Sequence, residues 1–235
     1  MTDLLTISGV KSGYGGGQVL NGVSLRIKGG EVCALIGRNG VGKTTLMRTL
    51  IGQLPLSAGS INLRDVEIGH ERPDARARRG IGYVPQGREI FGSLTVRENL
   101  QVGAQANRSK AAEMLCVVLD YFPVLRTRLQ QKSGTMSGGE QQQLAIARAL
   151  ISGPSVILLD EPSEGVQPSI VTFIGETIKA IAEKAGLGVL IVEQDMAMVQ
   201  RVADYCCVMD KGKIVRTLDK EELLDDDLLC RQLAL

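Results

Sequence analysis

Nine consecutive residues, Gly37-Arg38-Asn39-Gly40-Val41-Gly42-Lys43-Thr44-Thr45, satisfy G-x-x-x-x-G-K-[ST] at every required position. Glycines at this spacing let the chain curl until successive backbone N–H groups point inward at an anion. A helix that starts there adds further donors and a partial positive charge. Lys43 is then placed to bridge outer phosphates, and the Thr44 hydroxyl to bind Mg²⁺. The pattern becomes a site only between a strand and a helix. Val32-Cys33-Ala34-Leu35-Ile36 reads as a buried strand, and Thr44 to Ile51 as the start of a helix.

Other candidates lie downstream. Val156-Ile157-Leu158-Leu159 is a buried-strand run that ends in two acids, Asp160 and Glu161. Neighbours on a strand face opposite ways, so the two carboxylates can do different jobs. Asp160 suits a Mg²⁺ or Mg²⁺-water ligand; Glu161, past the strand end, suits a base that orients an attacking water. Gln86 follows a strand at Ile81-Gly82-Tyr83-Val84 that Pro85 stops. Open α/β sheets keep ligands at that end, so its amide can reach a Mg²⁺ or a water. Ser137-Gly138-Gly139-Glu140 has the S-x-x-E form of a capping box. It reads either as a plain helix cap or as a second anion cradle at a helix N-terminus. Tyr14, alone in Gly13-Tyr14-Gly15-Gly16-Gly17, is either a loop-packing aromatic or a flat face for a base.

The elements that must position these residues are legible from periodicity. Leu4 to Val10 and Val19 to Ile27 alternate as half-buried strands, with the glycine-rich stretch as their turn. Ser60 to Leu63 is a further strand. Pro73 to Arg79 is a short helix whose Arg76, Arg78 and Arg79 read as a solvated face. Thr95 to Gln101, Lys110 to Leu119 and Ser137 to Ile151 read as helices with no strand between them, a helical lobe set into a sheet domain. Its leading edge, Ile90-Phe91-Gly92-Ser93-Leu94, puts apolar residues in a surface loop, which hints at a protein contact. Pro168 to Lys184 is a helix and Gly188 to Val192 a buried strand that ends at Glu193-Gln194-Asp195. Asp204 to Met209 and Lys213 to Thr217 read as an exposed hairpin. The acidic, Leu-rich stretch Asp219 to Leu235 reads as a helical lid or dimer contact.

Composition narrows the class. At 235 residues the chain is one large domain or one with a lobe. A formal net charge of +1 supplies no field to draw nucleic acid or acidic membrane. Five cysteines without C-x-x-C spacing argue against a disulfide framework or zinc site and fit a reducing compartment; Cys33, Cys206 and Cys207 sit in apolar runs and read as core. The first residues lack a basic segment followed by an apolar one, so no signal peptide is expected. No run approaches the ~20 apolar residues of a membrane span, so any membrane role needs a partner.

Taken in order, these motifs resemble the ATP-binding subunit of an ABC transporter over essentially the whole chain. Gly37 to Thr45 is similar to its phosphate loop, Gln86 to its Q-loop glutamine, and Met136-Ser137-Gly138-Gly139-Glu140 to its LSGGQ signature. Leu158-Leu159-Asp160-Glu161-Pro162 is similar to Walker B with the catalytic glutamate, and Tyr14 to the aromatic that stacks on adenine. The resemblance implies ATP and Mg²⁺ as ligands. It implies an α/β fold: a P-loop NTPase core with a mixed sheet, an antiparallel β subdomain and an inserted helical subdomain. Residues 1–86 and 153–235 would form the core with its β subdomain, and 87–152 the helical insert. It also implies a head-to-tail dimer with a second, related ATPase subunit. Two integral-membrane permeases and, indirectly, a periplasmic solute-binding protein complete the partners, at the cytoplasmic face of the inner membrane.

Three departures stand out. The signature ends in Glu140 rather than Gln, adding negative charge near where the family places a γ-phosphate. The D-loop reads Glu164-Gly165-Val166-Gln167. The position of the family's switch histidine holds Gln194, and the single histidine, His70, lies far upstream. A neutral amide can donate to a phosphate but cannot carry a proton near pH 7. Val192-Glu193-Gln194, the Glu164-Gly165 D-loop and the length look like the branched-chain amino acid importer class, and Ile81 to Phe91 with Gly37 to Gly42 looks most like its branch that transports urea or short-chain amides. A soluble ABC ATPase acting on DNA or ribosomes would carry coiled-coil insertions or a duplicated cassette. A P-loop kinase or GTPase would lack the Ser137-Gly138-Gly139 element. A nucleotide sensor that does not hydrolyse ATP stays open through Gln194.

Overall fold

The computed structural model describes residues 2–225. Two long strands, β1 (Asp3–Tyr14) and β2 (Gly17–Lys28), open the chain as an antiparallel hairpin. The glycine-rich turn is shorter than its composition suggests. Only Gly15 and Gly16, at φ 52 and 91, leave the ladder, and Tyr14 pairs with Gly17. Two consecutive positive φ values are what a two-residue hairpin turn with the strands' own twist requires. β3 (Val32–Ile36) and α1 (Lys43–Leu50) follow, then β4 (Ala58–Leu63), β5 (Val66–Glu67), α2 (Pro73–Arg79) and β6 (Ile81–Val84).

Four helices separate β6 from the next strand: α3 (Val96–Ala104), α4 (Arg108–Tyr121), α5 (Pro123–Thr127) and α6 (Gly138–Leu150). Thr95–Glu98 and Ser137–Glu140 both close capping boxes, which fixes where α3 and α6 start. α5 was not visible from periodicity, because five residues give less than two turns to read. The chain returns to the sheet with β7 (Val156–Asp160), α7 (Pro168–Ala185), β8 (Gly188–Val192), α8 (Met196–Val202), β9 (Tyr205–Asp210), β10 (Lys213–Leu218) and α9 (Lys220–Leu223). The proposed lid or dimer contact from Asp219 onward lies mostly outside the described residues.

The strands form two sheets. One is antiparallel, in order β2-β1-β4-β5; the other is mixed, in order β10-β9-β3-β8-β7-β6, with only β9–β10 antiparallel. β9 is therefore no exposed hairpin arm. It pairs with β3, and Cys206 to Met209 are buried. Because strand side chains alternate, the central strands serve two cores. Val32, Ala34, Ile36, Ile157, Leu159, Val189 and Ile191 face the α6–α7 side, while Cys33, Leu35, Val156, Leu158, Leu190 and Val192 face α1 and the antiparallel sheet. Phe122 meets Phe173 edge-on at 6.4 Å and joins the helices after β6 to α7.

Arg76 is not part of a solvated face. It is 2% exposed, and its guanidinium donates to the carbonyls of Thr49 (2.7 Å), Leu50 (2.8 Å), Gly69 (2.6 Å) and Glu71 (3.0 Å). Thr49 and Leu50 end α1, where carbonyls lack helical partners and a cation is favoured. Burial lowers the Arg76 pKa, but the fork stays matched to its acceptors. Arg76→Ala is expected to lose about 3 kcal/mol in urea unfolding, because it strands several buried carbonyls. Arg76→Lys is expected to recover less than half, since an ammonium cannot span them.

Candidate functional site

The phosphate loop leaves the carboxyl end of β3 between β8 and β9. At Gly37 the chain passes so close to β9 that a Cβ would sit 2.3 Å from the Met209 carbonyl oxygen. Only glycine permits that approach. Gly40 and Gly42 take φ 81 and 113, and Gly42 is the N-cap of α1, with no side chain closing the helix end. The first N–H groups of α1 are thus left for an external acceptor. Val41 is tied down from outside the loop, its carbonyl accepting from the Gly212 N–H at 2.8 Å.

Lys43 is 5% exposed and folds back along the loop, its Nζ donating to the carbonyls of Gly37 (2.6 Å) and Arg38 (3.0 Å). Burial lowers its pKa, opposed by the charges of Glu161 and Asp160. A cavity of about 400 Å³ opens over this loop. Asn39, Gly40, Gly42, Lys43, Thr44 and Thr45 line one wall; Gln86, Glu161, Glu164 and Gln194 line the other.

That second wall is built around one carboxylate. Gln194 Nε2 donates to Glu161 Oε1 at 2.6 Å, and Gln86 Nε2 donates to Oε2 at 3.2 Å. Glu161 stands in the left-handed region, at φ 49, with its N–H on the Val192 carbonyl at 2.9 Å. Its orientation thus comes from this backbone turn rather than from strand alternation, a strain on the order of 1 kcal/mol for a non-glycine residue.

Asp160 lies beneath, 1% exposed, and neither carboxylate oxygen has a hydrogen-bond partner among the described residues. Burial and the adjacent Glu161 charge push its pKa up to about 6; the Thr44 and Tyr83 hydroxyls and Lys43 pull the other way without closing a bond at hydrogen-bonding distance. A buried carboxylate without a partner, next to a threonine hydroxyl, fits a hard divalent cation that takes oxygen ligands. Asp160 and Thr44 would hold Mg²⁺, with Gln86 at the cavity edge.

Two expected contributors stand apart. Tyr14 is 44% exposed, accepts a long hydrogen bond from Arg48 (3.4 Å), and does not line the cavity. Ser137, Gly138 and Gly139 start α6, also off the cavity wall. Glu140 does not present a free charge there. Its carboxylate accepts from the Ser137 N–H (3.0 Å) and pairs with Arg128 (2.8 Å), while Ser137 Oγ accepts from the Glu140 N–H (3.4 Å).

Sequence reasoning missed Glu193. It is 1% exposed and accepts from the Ser163 N–H (2.8 Å), Ser163 Oγ (2.9 Å) and the N–H groups of Gln194 (2.9 Å) and Asp195 (3.2 Å). Burial raises its pKa, and these four donors oppose the rise. It staples the loop after Glu161 to the turn that carries Gln194. The only signal was an acid at the end of an apolar strand, which the neighbouring Gln194 eclipsed.

A family profile described as ABC transporter matches residues 20–164. The chain is 41% identical over 213 residues to the high-affinity branched-chain amino acid transport ATP-binding protein BraG of Pseudomonas aeruginosa, covering 90% of this chain and 91% of that one. It is 35% identical over 227 residues to the lipopolysaccharide export system ATP-binding protein LptB of Escherichia coli K12, covering 95% and 93%. Among solved structures, a nucleotide-free ATP-binding cassette from an ABC transporter superposes with TM-score 0.84 at 26% identity, covering 97% and 98%.

The raised Asp160 pKa gives a test with a definite sign. A carboxyl held above its ordinary value of 3.8 in the folded chain costs stability as pH rises from there through about 6. Asp160→Asn is expected to stabilise the metal-free protein by about 2 kcal/mol at pH 8, with the gain shrinking toward pH 4. Mg²⁺-dependent nucleotide affinity of the unaltered chain is expected to fall about tenfold between pH 7 and pH 5, read by fluorescence titration.

Proposed function

The chain belongs to the ABC transporter family, and on that footing we propose that it is the ATP-hydrolysing subunit of an importer for branched-chain amino acids. It is an ATPase of the ABC type, with ATP and Mg²⁺ as its ligands. The observation that carries the mechanism is the meeting of Gln86, Glu161 and Gln194 across one cavity from Lys43 and Thr44.

Lys43 holds two loop carbonyls that an outer phosphate oxygen can replace as its partners. Asp160 and Thr44 would hold Mg²⁺, which would neutralise charge that builds on the phosphate oxygens. Glu161 accepts a proton from, or orients, the attacking water, and its two glutamine donors fix where its oxygens point. Gln194 takes the place of the family's histidine as a neutral donor. It positions but does not shuttle a proton, so turnover is slower than with histidine.

The Ser137-Gly138-Gly139 cradle lies off its own chain's cavity, so it serves nucleotide only across an interface. That supports a head-to-tail dimer in which each chain covers the other's phosphates, with a related ATPase that brings a histidine as the companion. Residues 87–152 form the lobe that passes dimer closure to two permeases. Phe91, 46% exposed in the loop after Gln86, is the apolar contact that supports this. No described helix is long and apolar enough to cross a membrane, so attachment to the cytoplasmic face of the inner membrane comes through those permeases, with a solute-binding protein acting at one remove.

The 41% identity with BraG supports branched-chain amino acids over the urea branch that the Ile81 to Phe91 and Gly37 to Gly42 segments suggest. Leucine uptake in cells that lack and then regain this gene, measured beside urea uptake, decides the solute; restoration of urea uptake alone overturns the amino-acid reading. In the purified chain with its companion, Glu161→Gln is expected to lower turnover about 10²–10³-fold, keep ATP binding and accumulate a dimer in light scattering. Unchanged turnover removes Glu161 from its role.

A further inference from the structure

Arg88 lies two residues beyond Gln86 and off the wall of the nucleotide cavity. Its side chain nevertheless reaches two other segments. Nη2 donates to the carbonyls of Glu164 (3.1 Å) and Gly165 (2.9 Å), in the loop that follows Glu161. The same guanidinium packs on the first residue of α6. A Cβ at Gly138 would lie 3.1 Å from Nη1 and 3.2 Å from Nη2, tighter than most real contacts. A Cβ at Gly165 would lie 3.2 Å from Nη2.

The backbone under Arg88 is itself constrained. Gly87, Arg88 and Glu89 take φ 79, 71 and 44, three left-handed residues in a row of which two carry side chains. Arg148, near the far end of α6, holds this conformation. Its Nη2 donates to the carbonyls of Glu89 (2.8 Å) and Arg88 (3.4 Å), and its guanidinium lies 5.0 Å from the Phe91 ring centroid. α6 therefore meets the segment after Gln86 at both ends.

We infer that Arg88 is a positioning residue, a clasp that makes the Glu161 loop and the Ser137 cradle shift as one body. The inference rests on the proposed head-to-tail arrangement, in which Glu161 serves this chain's cavity and the cradle serves its partner's. The electrostatics give it a direction. A cation against the positive end of α6 is repelled there, so the two loop carbonyls hold it in place. An anion that arrives at the cradle removes the repulsion and tightens the clasp, so occupancy of the partner's site is felt at Glu161.

Amide hydrogen exchange on the full-length, nucleotide-free chain tests the clasp. Arg88→Ala is expected to speed exchange about tenfold in both 137–141 and 163–167, with the β3, β7 and β8 amides unchanged. Arg88→Lys keeps the charge but loses the fork, and is expected to fall between, at about threefold. In a Glu161→Gln background, Arg88→Ala is expected to weaken the ATP-driven dimer about tenfold by sedimentation while ATP affinity stays within about twofold. Unchanged exchange in both segments, or a change confined to one, overturns the clasp; should the alanine variant lose its fold, the same comparison is read on Arg88→Lys. If Glu161→Gln alone never dimerises with ATP, the head-to-tail reading fails, and the exchange result still reports whether the contact joins the two segments.

Discussion

A carboxylate placed beside a triphosphate is repelled by it, so it can act only where its neighbours dictate the direction of its charge. In the role proposed for it, Glu161 meets that condition through two neutral donors, Gln86 and Gln194, which arrive from the ends of different strands. A cation in either place would cancel the charge, and an acid would repel it. Much of the surrounding architecture serves to bring these amides together. β6, β7 and β8 are adjacent and parallel, so their carboxyl ends open on the same edge. Glu193, buried under the turn, keeps the third of those ends in register with the second through its four donors.

Two buried charges hold loops in place with their partners close by, and a third stands apart from them. Arg76 and Glu193 are saturated by backbone and hydroxyl groups, and both hold loops in place. Asp160 is as deeply buried and has no hydrogen-bond partner among the described residues, which fits a cation rather than a structural contact. Glu140 is engaged by the capping box and by Arg128, so it also takes part in helix initiation.

Much of this was legible in the residue order. The apolar runs at Val32–Ile36, Val156–Asp160 and Gly188–Val192 are strands at those bounds, since central parallel strands are buried on both faces and read as continuous apolar segments. The pattern around Gly37–Thr45 marked the loop between β3 and α1 because its glycines answer to backbone geometry. What escaped is long-range. That Arg76 would bond carbonyls at the end of α1, that β9 would join the central sheet beside β3, and that Glu193 would bind Ser163 thirty positions away all depend on which segments become neighbours. Periodicity within a window carries no such information. Tyr14 stays open between a loop aromatic and a face for a base, since the fold sets it on the exterior beside Arg48.

Glu161 adopts a main-chain conformation in which glycine, and to a lesser degree asparagine, is most at ease. With the role proposed for Glu161, heat tolerance and turnover pull against each other at this position. Under selection for survival at high temperature with no demand for transport, the chain would drift there toward glycine, becoming sturdier and inert. On that reading the acid is held at the fold's expense, and a laboratory lineage freed from its solute would reveal that tension by losing this side chain among the first.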